Sequence, residues 1–326
     1  AQDVATLVLD LPEVLSVQTH AGVPAPFNFN GLVRHYYLRR EPQLGEVSIN
    51  LVPKGDRDRA SHDIALDIRE RIATLDLPQG TVLKTVEPPP GPPVIATLLA
   101  EVYGPDAATR RQAAALIRDA FASVPFIVDI DDSFGQQAPR QRLTISTDDL
   151  EFFGVEEQDV FDTIAVLNSG QVAGYSHRGD RRRPIPIEIG RDLSDRVLDE
   201  RFLTTPIPAN VIPGARGVVE LGDVATVTEE LSSFPIFRHN GRDAEMVMAE
   251  LAGEFEAPLY GMIAVADAIE SMDWPQGTRP EIILHGQPLD ESRVTLLWDG
   301  EWEVTYVTFR DMGAAFAVAL LGIYIL

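Results

Sequence analysis

The chemistry open to this 326-residue chain must come from carboxylates, imidazoles and aromatic faces, because the sequence has no cysteine. That absence removes disulfides, thiolate metal sites and cysteine nucleophiles together, while leaving an oxidising compartment permitted. The tightest acidic group is Asp129, Asp131 and Asp132, a set that could suggest Mg²⁺ or Ca²⁺. Its spacing lacks the glycine and the distal glutamate of a calcium loop, so a solvated strand end is the expected reading. The histidines are His20, His35, His62, His177, His239 and His285, and none pairs at i, i+3 or i, i+4. That spacing gives no support to a zinc site on a single helix; ligands drawn from separate strands stay open, and structural or exposed histidines are expected. Nucleophile–base pairs, glycine-rich phosphate loops and metalloprotease spacings are all missing. The sequence therefore assigns no catalytic residue, no metal ligand and no cofactor, and we read the chain as a non-enzyme.

Binding has a better candidate in Gly22–Leu38, which carries Pro24, Pro26, Phe27, Asn28, Phe29, Asn30, Arg34, His35, Tyr36 and Tyr37. Aromatic faces supply contact area and a few polar tips supply orientation, a lining suited to amphiphilic or aromatic molecules. Phe27, Asn28, Phe29, Arg34, Tyr36 and Tyr37 are the candidate substrate-binding residues. The competing reading makes these aromatics loop anchors packed on a sheet.

Charge narrows the partners. With 50 acidic against 27 basic residues and a net charge of −23, phosphate backbones are repelled. The one basic run, Arg181-Arg182-Arg183, sits between Asp180 and Pro184 and reads as a solvated loop, so nucleic acid is excluded as an expected partner. A hydrophobic fraction of 45% over this length allows two or three packed domains.

The elements that must position these residues come as an echo. Leu77-Pro78-Gln79-Gly80-Thr81 and Trp274-Pro275-Gln276-Gly277-Thr278 each follow an amphipathic helix and precede an expected strand, as in a duplicated unit. In the first copy Ile64, Ile68, Ile72 and Leu75 mark the helix face and Val82-Leu83 opens the strand. In the second the face is Leu259, Met262, Ile263, Ala266 and Ile269, followed by Ile282-Ile283-Leu284. Ala1–Leu9 runs into strand Val14–Gln18, and helix Ala107–Val124, striped by Leu116, Ile117, Ala120, Phe121 and Val124, runs into strand Phe126–Ile130. Each repeat thus reads as split βαβ, the first lacking its opening strand, and such units make ferredoxin-like α/β sandwiches. Pro88-Pro89-Pro90-Gly91-Pro92-Pro93 reads as a stiff connector between them. After helix Glu156–Asn168, short strands at Gln171–Tyr175, Pro186–Ile189, Gly217–Leu221, Ala225–Thr228 and Ile236–His239 read as a β-rich insertion over Gln171–Arg242. The second unit's helix resumes near Pro258.

Met312–Leu326 carries no charge and reaches about 22 Å as a helix, short of a complete span of roughly 30 Å. Trp298, Trp302 and Tyr306 recur at intervals of four just before it and are the expected membrane-interface residues. Ala1–Leu9 has no initiator Met, basic n-region or cleavage site, so both ends read as those of an internal fragment.

Several runs, in this order, carry a resemblance over essentially the whole chain: Leu99-Ala100-Glu101-Val102-Tyr103-Gly104-Pro105-Asp106, then Asp148-Asp149-Leu150-Glu151-Phe152-Phe153-Gly154-Val155, then Gly222-Asp223-Val224-Ala225, and last Thr308-Phe309-Arg310-Asp311-Met312-Gly313. The chain resembles the second large extracytoplasmic loop of resistance-nodulation-division (RND) efflux permeases. The resemblance implies an α+β chain of tandem ferredoxin-like porter subdomains with a docking subdomain inserted in the second and a truncated C-terminal transmembrane helix. Residues 1–92 would be the first porter subdomain, 93–170 with 243–289 the second, 171–242 the docking subdomain, and 290–326 the segment leading into the membrane. It further implies proton-driven export of small, amphiphilic organic compounds by alternating conformations, a homotrimer, a periplasmic adaptor (membrane fusion) protein, an outer-membrane channel, and a bacterial inner-membrane location with this portion mainly periplasmic. The alternatives are heavy-metal cation efflux, or a membrane-anchored periplasmic binding or assembly module without transport. Gly22–Leu38 takes the place of the family's Phe-containing loop, without its glycine-rich flanks. The branch handling Cu(I) and Ag(I) uses methionine thioethers. No methionine precedes Met246, and Met246, Met248, Met262 and Met272 are expected in the core.

Overall fold

The computed structural model describes residues 1–78, 80–88, 94–179, 182–212, 215–253, 255 and 257–325. Most of the Pro88–Pro93 connector, Gln79 of the first turn, Asp180 and Arg181 of the basic run, and Leu326 lie outside the described residues. The chain divides into two compact units, residues 1–136 with 234–326, and residues 137–233.

The first unit begins with α1 (Gln2–Val8), β1 (Val14–Ala21), a short α2 (Phe29–Val33), β2 (Gly45–Leu51) and α3 (Ser61–Ile72). β1 and β2 pair antiparallel with Val17 opposite Ile49. Ile64, Ile68 and Ile72 fall on one stripe of α3 and bury against Val8 and Leu11, with Val14, Val17, Ile49, Leu51 and Leu83 around them. The strand expected from Val82 is not formed among the described residues: Leu83 packs its side chain on this cluster while its backbone joins no ladder. There follow β3 (Leu98–Tyr103), α4 (Ala107–Ala122) and β4 (Ile127–Asp132). Asp106 caps α4 by accepting from Thr109 N at 2.9 Å and from the Thr109 hydroxyl at 2.8 Å.

The second unit contains β5 (Pro139–Ile145), α5 (Thr147–Phe153), α6 (Glu157–Ser169), β6 (Gln171–Ser176), β7 (Ile185–Ile189), α7 (Glu200–Leu203), β8 (Pro206–Ile212), β9 (Ala215–Glu220) and β10 (Ala225–Leu231). β10 returns to pair antiparallel with β5, Ala225 opposite Ile145 and Leu231 opposite Pro139, which closes the unit on itself. Leu150 of α5, Val155, and Val160 of α6 share one core with Phe202, Ile207, Leu221 and Val224. The compact unit is therefore wider at its start and narrower at its end than the Gln171–Arg242 insertion expected from turn residues. Both helices belong with these strands because their apolar faces are buried there.

Returning to the first unit, the chain forms β11 (Arg238–His239), β12 (Arg242–Asp243), β13 (Glu245–Leu251), α8 (Pro258–Ser271), β14 (Glu281–Ile283), β15 (Thr295–Gly300) and α9 (Glu301–Ile325). The expected strand Ile236–His239 shortens to β11 and lies in this unit. The sheet order is β14-β15-β3-β13-β4. β13 runs antiparallel between β3 and β4, and β15 antiparallel to β3. With crossovers through α4 and α8, those four strands make a split βαβ, ferredoxin-like sheet. Leu98, Ala100, Val102, Val247, Ala249, Leu296 and Trp298 meet Ala113, Ile117, Phe121, Met262, Val265 and Ile269 in one core, the period of two expected for one sheet face.

Two expectations about this core are corrected. On α8, Leu259 and Ile263 are 47% and 53% exposed, and Gly261 faces the sheet instead. A Cβ at Gly261 would lie 3.1 Å from Cδ atoms of both Leu98 and Leu251, tighter than an ordinary contact, so a side chain there would push those leucines aside. Trp298 belongs to β15 and not to a membrane helix: it is 2% exposed, with its ring 5.9 Å from Phe121 in a stacked pair. Trp302 and Tyr306 do lie on α9, where Trp302 Nε1 donates to Leu284 O at 2.7 Å and Tyr306 stacks on His285 at 4.6 Å. α9 is long and apolar enough to cross a membrane, and none of its apolar stretch is buried.

Candidate functional site

The aromatic loop closes over the sheet edge around a cavity of about 170 Å³ lined by Arg34, His35, Tyr36, Arg39, Lys84, Ile95, Asp129, Asp131, Met248 and Glu250. Its walls are held by ion pairs between distant segments. Arg34 donates to Glu250 at 2.6 Å with the two side chains 8% and 17% exposed, and the Thr97 hydroxyl donates to the other Glu250 oxygen at 2.6 Å. Arg69 meets Asp129 at 2.6 Å, and Lys84 pairs with Asp131. Arg39 lies over the Tyr36 ring at 3.7 Å, a cation–π contact. Two of the lining residues are non-glycines held in the left-handed region, His35 at φ 58° and Asp129 at φ 55°. Backbone of this kind is costly, persists only where its surroundings enforce it, and concentrates at ligand sites. At Asp129 the cause is visible, since the register between β4 and β13 shifts between Met248 and Glu250.

The sequence candidates separate into three groups here. Arg34 and Tyr36 line the cavity. Phe27 and Tyr37 pair with each other at 5.7 Å, and Phe27 is 78% exposed. Phe29, on the first turn of α2, is also more exposed than buried. Neither phenylalanine is an anchor packed on the sheet. Asn28 is occupied otherwise: its side chain accepts from Gly31 N at 2.6 Å and caps α2. The volume falls below the roughly 300 Å³ at which drug-sized sites begin, so the cavity by itself is too small to enclose a drug-sized molecule.

The acidic trio is not the solvated strand end expected from its sequence. Asp129 and Asp132 have side chains only 4% and 3% exposed, and each is met by an arginine, Asp132 by Arg118 at 2.6 Å. Met246 is buried, whereas Met248 reaches the cavity wall.

A further grouping escaped the sequence reading. Glu101 sits on β3, whose six residues are all buried. Its Oε2 accepts from the Tyr103 hydroxyl at 2.5 Å, and its Oε1 lies 2.9 Å from His239 Nδ1 without hydrogen-bond geometry. Asp299 of β15 joins them. Burial pushes the Glu101 carboxyl up to about 8, the neighbouring Asp299 adds to this, and the Tyr103 hydroxyl opposes it. Burial and the Glu101 carboxyl push Tyr103 upward in turn. The available signal was one glutamate inside Leu98-Leu99-Ala100-Glu101-Val102-Tyr103; its partners are too distant in sequence for local spacing to find.

No protein-family model matches the chain, and no curated protein matches it. Two solved structures of a heavy metal efflux pump share its fold. Crystal form I aligns with TM-score 0.66 at 18% identity, over 98% of this chain and 30% of that one. Crystal form II gives 0.64 at 17% identity, over 99% and 30%. The chain thus spans about 30% of the length of these structures and has the α+β fold of that portion.

Proposed function

We propose that this chain is the porter and docking portion of a proton-driven RND efflux permease, and that it handles small amphiphilic organic compounds along the Gly22–Leu38 loop. The observation that carries this reading is the placement, in one compact unit, of exposed Phe27 and Phe29 beside a charged cavity on a ferredoxin-like sheet that leads into an unburied apolar helix. The fold correspondence over nearly all of the chain supports it. An aromatic rim gives area and the Arg34, Lys84, Asp131 and Glu250 wall gives polar orientation. The work asked of this portion is binding and release as porter units shift, with no bond made or broken. The intact protein would be a homotrimer in the bacterial inner membrane with this portion periplasmic. It would meet a periplasmic adaptor and an outer-membrane channel. The alternative of a membrane-anchored periplasmic binding or assembly module without transport is less well supported, because the fold correspondence is to an efflux pump.

A second reading, export of a heavy-metal cation, is favoured by what the two solved structures are. Around the cavity it meets an obstacle, because Asp129, Asp131 and Glu250 are each already paired with a cationic side chain. The two readings separate in cells carrying the permease, by measuring gradient-dependent accumulation of amphiphilic dyes and, separately, of zinc and copper. Dye accumulation that rises in the Phe27→Ala, Phe29→Ala double variant supports the first; unchanged dye with altered metal content supports the second.

A further inference from the structure

We infer that Glu101, His239 and Asp299 form a binding site for a divalent cation of the zinc class, with a fourth coordination position left to water. One ligand atom from each residue lies within 4.8 Å of the other two. Tetrahedral zinc with nitrogen and oxygen ligands at about 2.0–2.1 Å places them roughly 3.3 Å apart, so a small inward movement of these side chains encloses an ion. The 2.9 Å separation of Glu101 Oε1 and His239 Nδ1 is already of that order.

An independent observation points to a ligand. Glu101 is 1% exposed, and its Oε1 is buried with no well-aligned N–H or O–H donor, facing His239 Nδ1 at 2.9 Å and the Asp299 carboxyl, with which Glu101 interacts. Other acids on this sheet are treated differently: Asp129 has Arg69, Asp132 has Arg118, Glu245 has Arg111 and Glu250 has Arg34. Among the described residues, no lysine or arginine pairs with Glu101 or Asp299. A buried carboxylate left without a cation is unfavourable, so this place on the sheet calls for either a metal ion or a proton.

The donor set selects the metal class. One imidazole and two carboxylates suit zinc and its first-row neighbours; there is no thioether for Cu(I) and too few oxygens for Ca²⁺. The Tyr103 hydroxyl holds Glu101 Oε2 and so fixes the carboxylate's orientation from outside the site. An ion here ties β3, the β11–β12 hairpin and β15 together, one residue before Gly300 turns the chain into α9. The site is separate from the aromatic loop and stands whichever cargo that loop takes.

The test uses the whole chain in detergent, titrated with cobalt(II) alone as a spectroscopic probe and with zinc(II) by calorimetry. One equivalent should bind with the visible absorption of a low-coordinate cobalt site. Glu101→Gln should weaken binding at least a hundredfold, and His239→Ala at least tenfold, while exposed His177→Ala leaves it unchanged. Should Glu101→Gln fail to fold, His239→Ala decides the matter, since that side chain is 28% exposed and at the surface. Absence of binding, or binding indifferent to His239 and Asp299 replacement, overturns the inference. So does a proton shared by Glu101 and Asp299 with no metal bound.

Discussion

Phe27 and Phe29 are apolar side chains left facing solvent, at 78% and 55% exposure, whereas Tyr103, Phe121, Phe202 and Trp298 are buried. Because neither contributes to a core, the double alanine variant should keep its unfolding free energy within about 0.5 kcal/mol by urea titration. Arg34 behaves oppositely. Its guanidinium is buried against the partly buried Glu250, which keeps its bond from Thr97, so Arg34→Ala should cost about 1–3 kcal/mol, partly recovered by adding Glu250→Gln. Asp106 is a case for pH. Its bonds from Thr109 hold the carboxyl below the ordinary range, so its stabilisation is present above the ordinary carboxylate pKa and lost as pH falls through the lowered one. Asp106→Asn should flatten the acid limb of a melting-temperature profile; an unchanged limb counts against the cap. At this scale the sequence was legible for composition and poor for pairing. The aromatic loop is recognisable from its residues alone, but Arg34 meeting Glu250, or Glu101 meeting His239 and Asp299, depends on strand neighbours that only the folded sheet supplies.

Among the elements, the clearest lesson is the interval of four that links Trp298, Trp302 and Tyr306. It spans the end of β15 and the start of α9, joined at Gly300, whose φ is +71° and where a Cβ would stand 2.6 Å from Ala96 O. A side chain cannot occupy that turn, so the chain changes from strand to helix in one residue. A helical period is therefore read across a boundary that is not helical. Trp298→Ala should cost about 3–5 kcal/mol, since the indole fills the core against Phe121, and a loss under 1 kcal/mol in denaturant unfolding would contradict that placement. Helix stripes were legible where the buried face is continuous, as in α3 with Ile64, Ile68 and Ile72. On α8 the stripe held at Met262 and Ile269, which are buried, and failed at Leu259 and Ile263, because Gly261 and Val265 complete the contact face and a glycine leaves no hydrophobic signal. The absent strand at Val82 follows similar logic: apolar residues predict burial of Leu83 but say nothing of a free sheet edge to receive its backbone.

For the whole molecule, the repeat and the insertion were readable as order along the chain, while their limits were not. The second unit begins with β5, because β5 finds its partner in β10, and local periodicity carries no trace of so distant a ladder. We propose that this fold serves export. It is tested most directly in cells producing the intact permease, with and without a protonophore, by following accumulation of amphiphilic dyes, zinc and copper. Energised cells with the wild-type loop should keep at least one of these low, the protonophore should erase the difference, and the Phe27→Ala, Phe29→Ala variant should lose dye exclusion at unchanged protein level. Accumulation of every probe that ignores both the protonophore and the presence of the permease would contradict it.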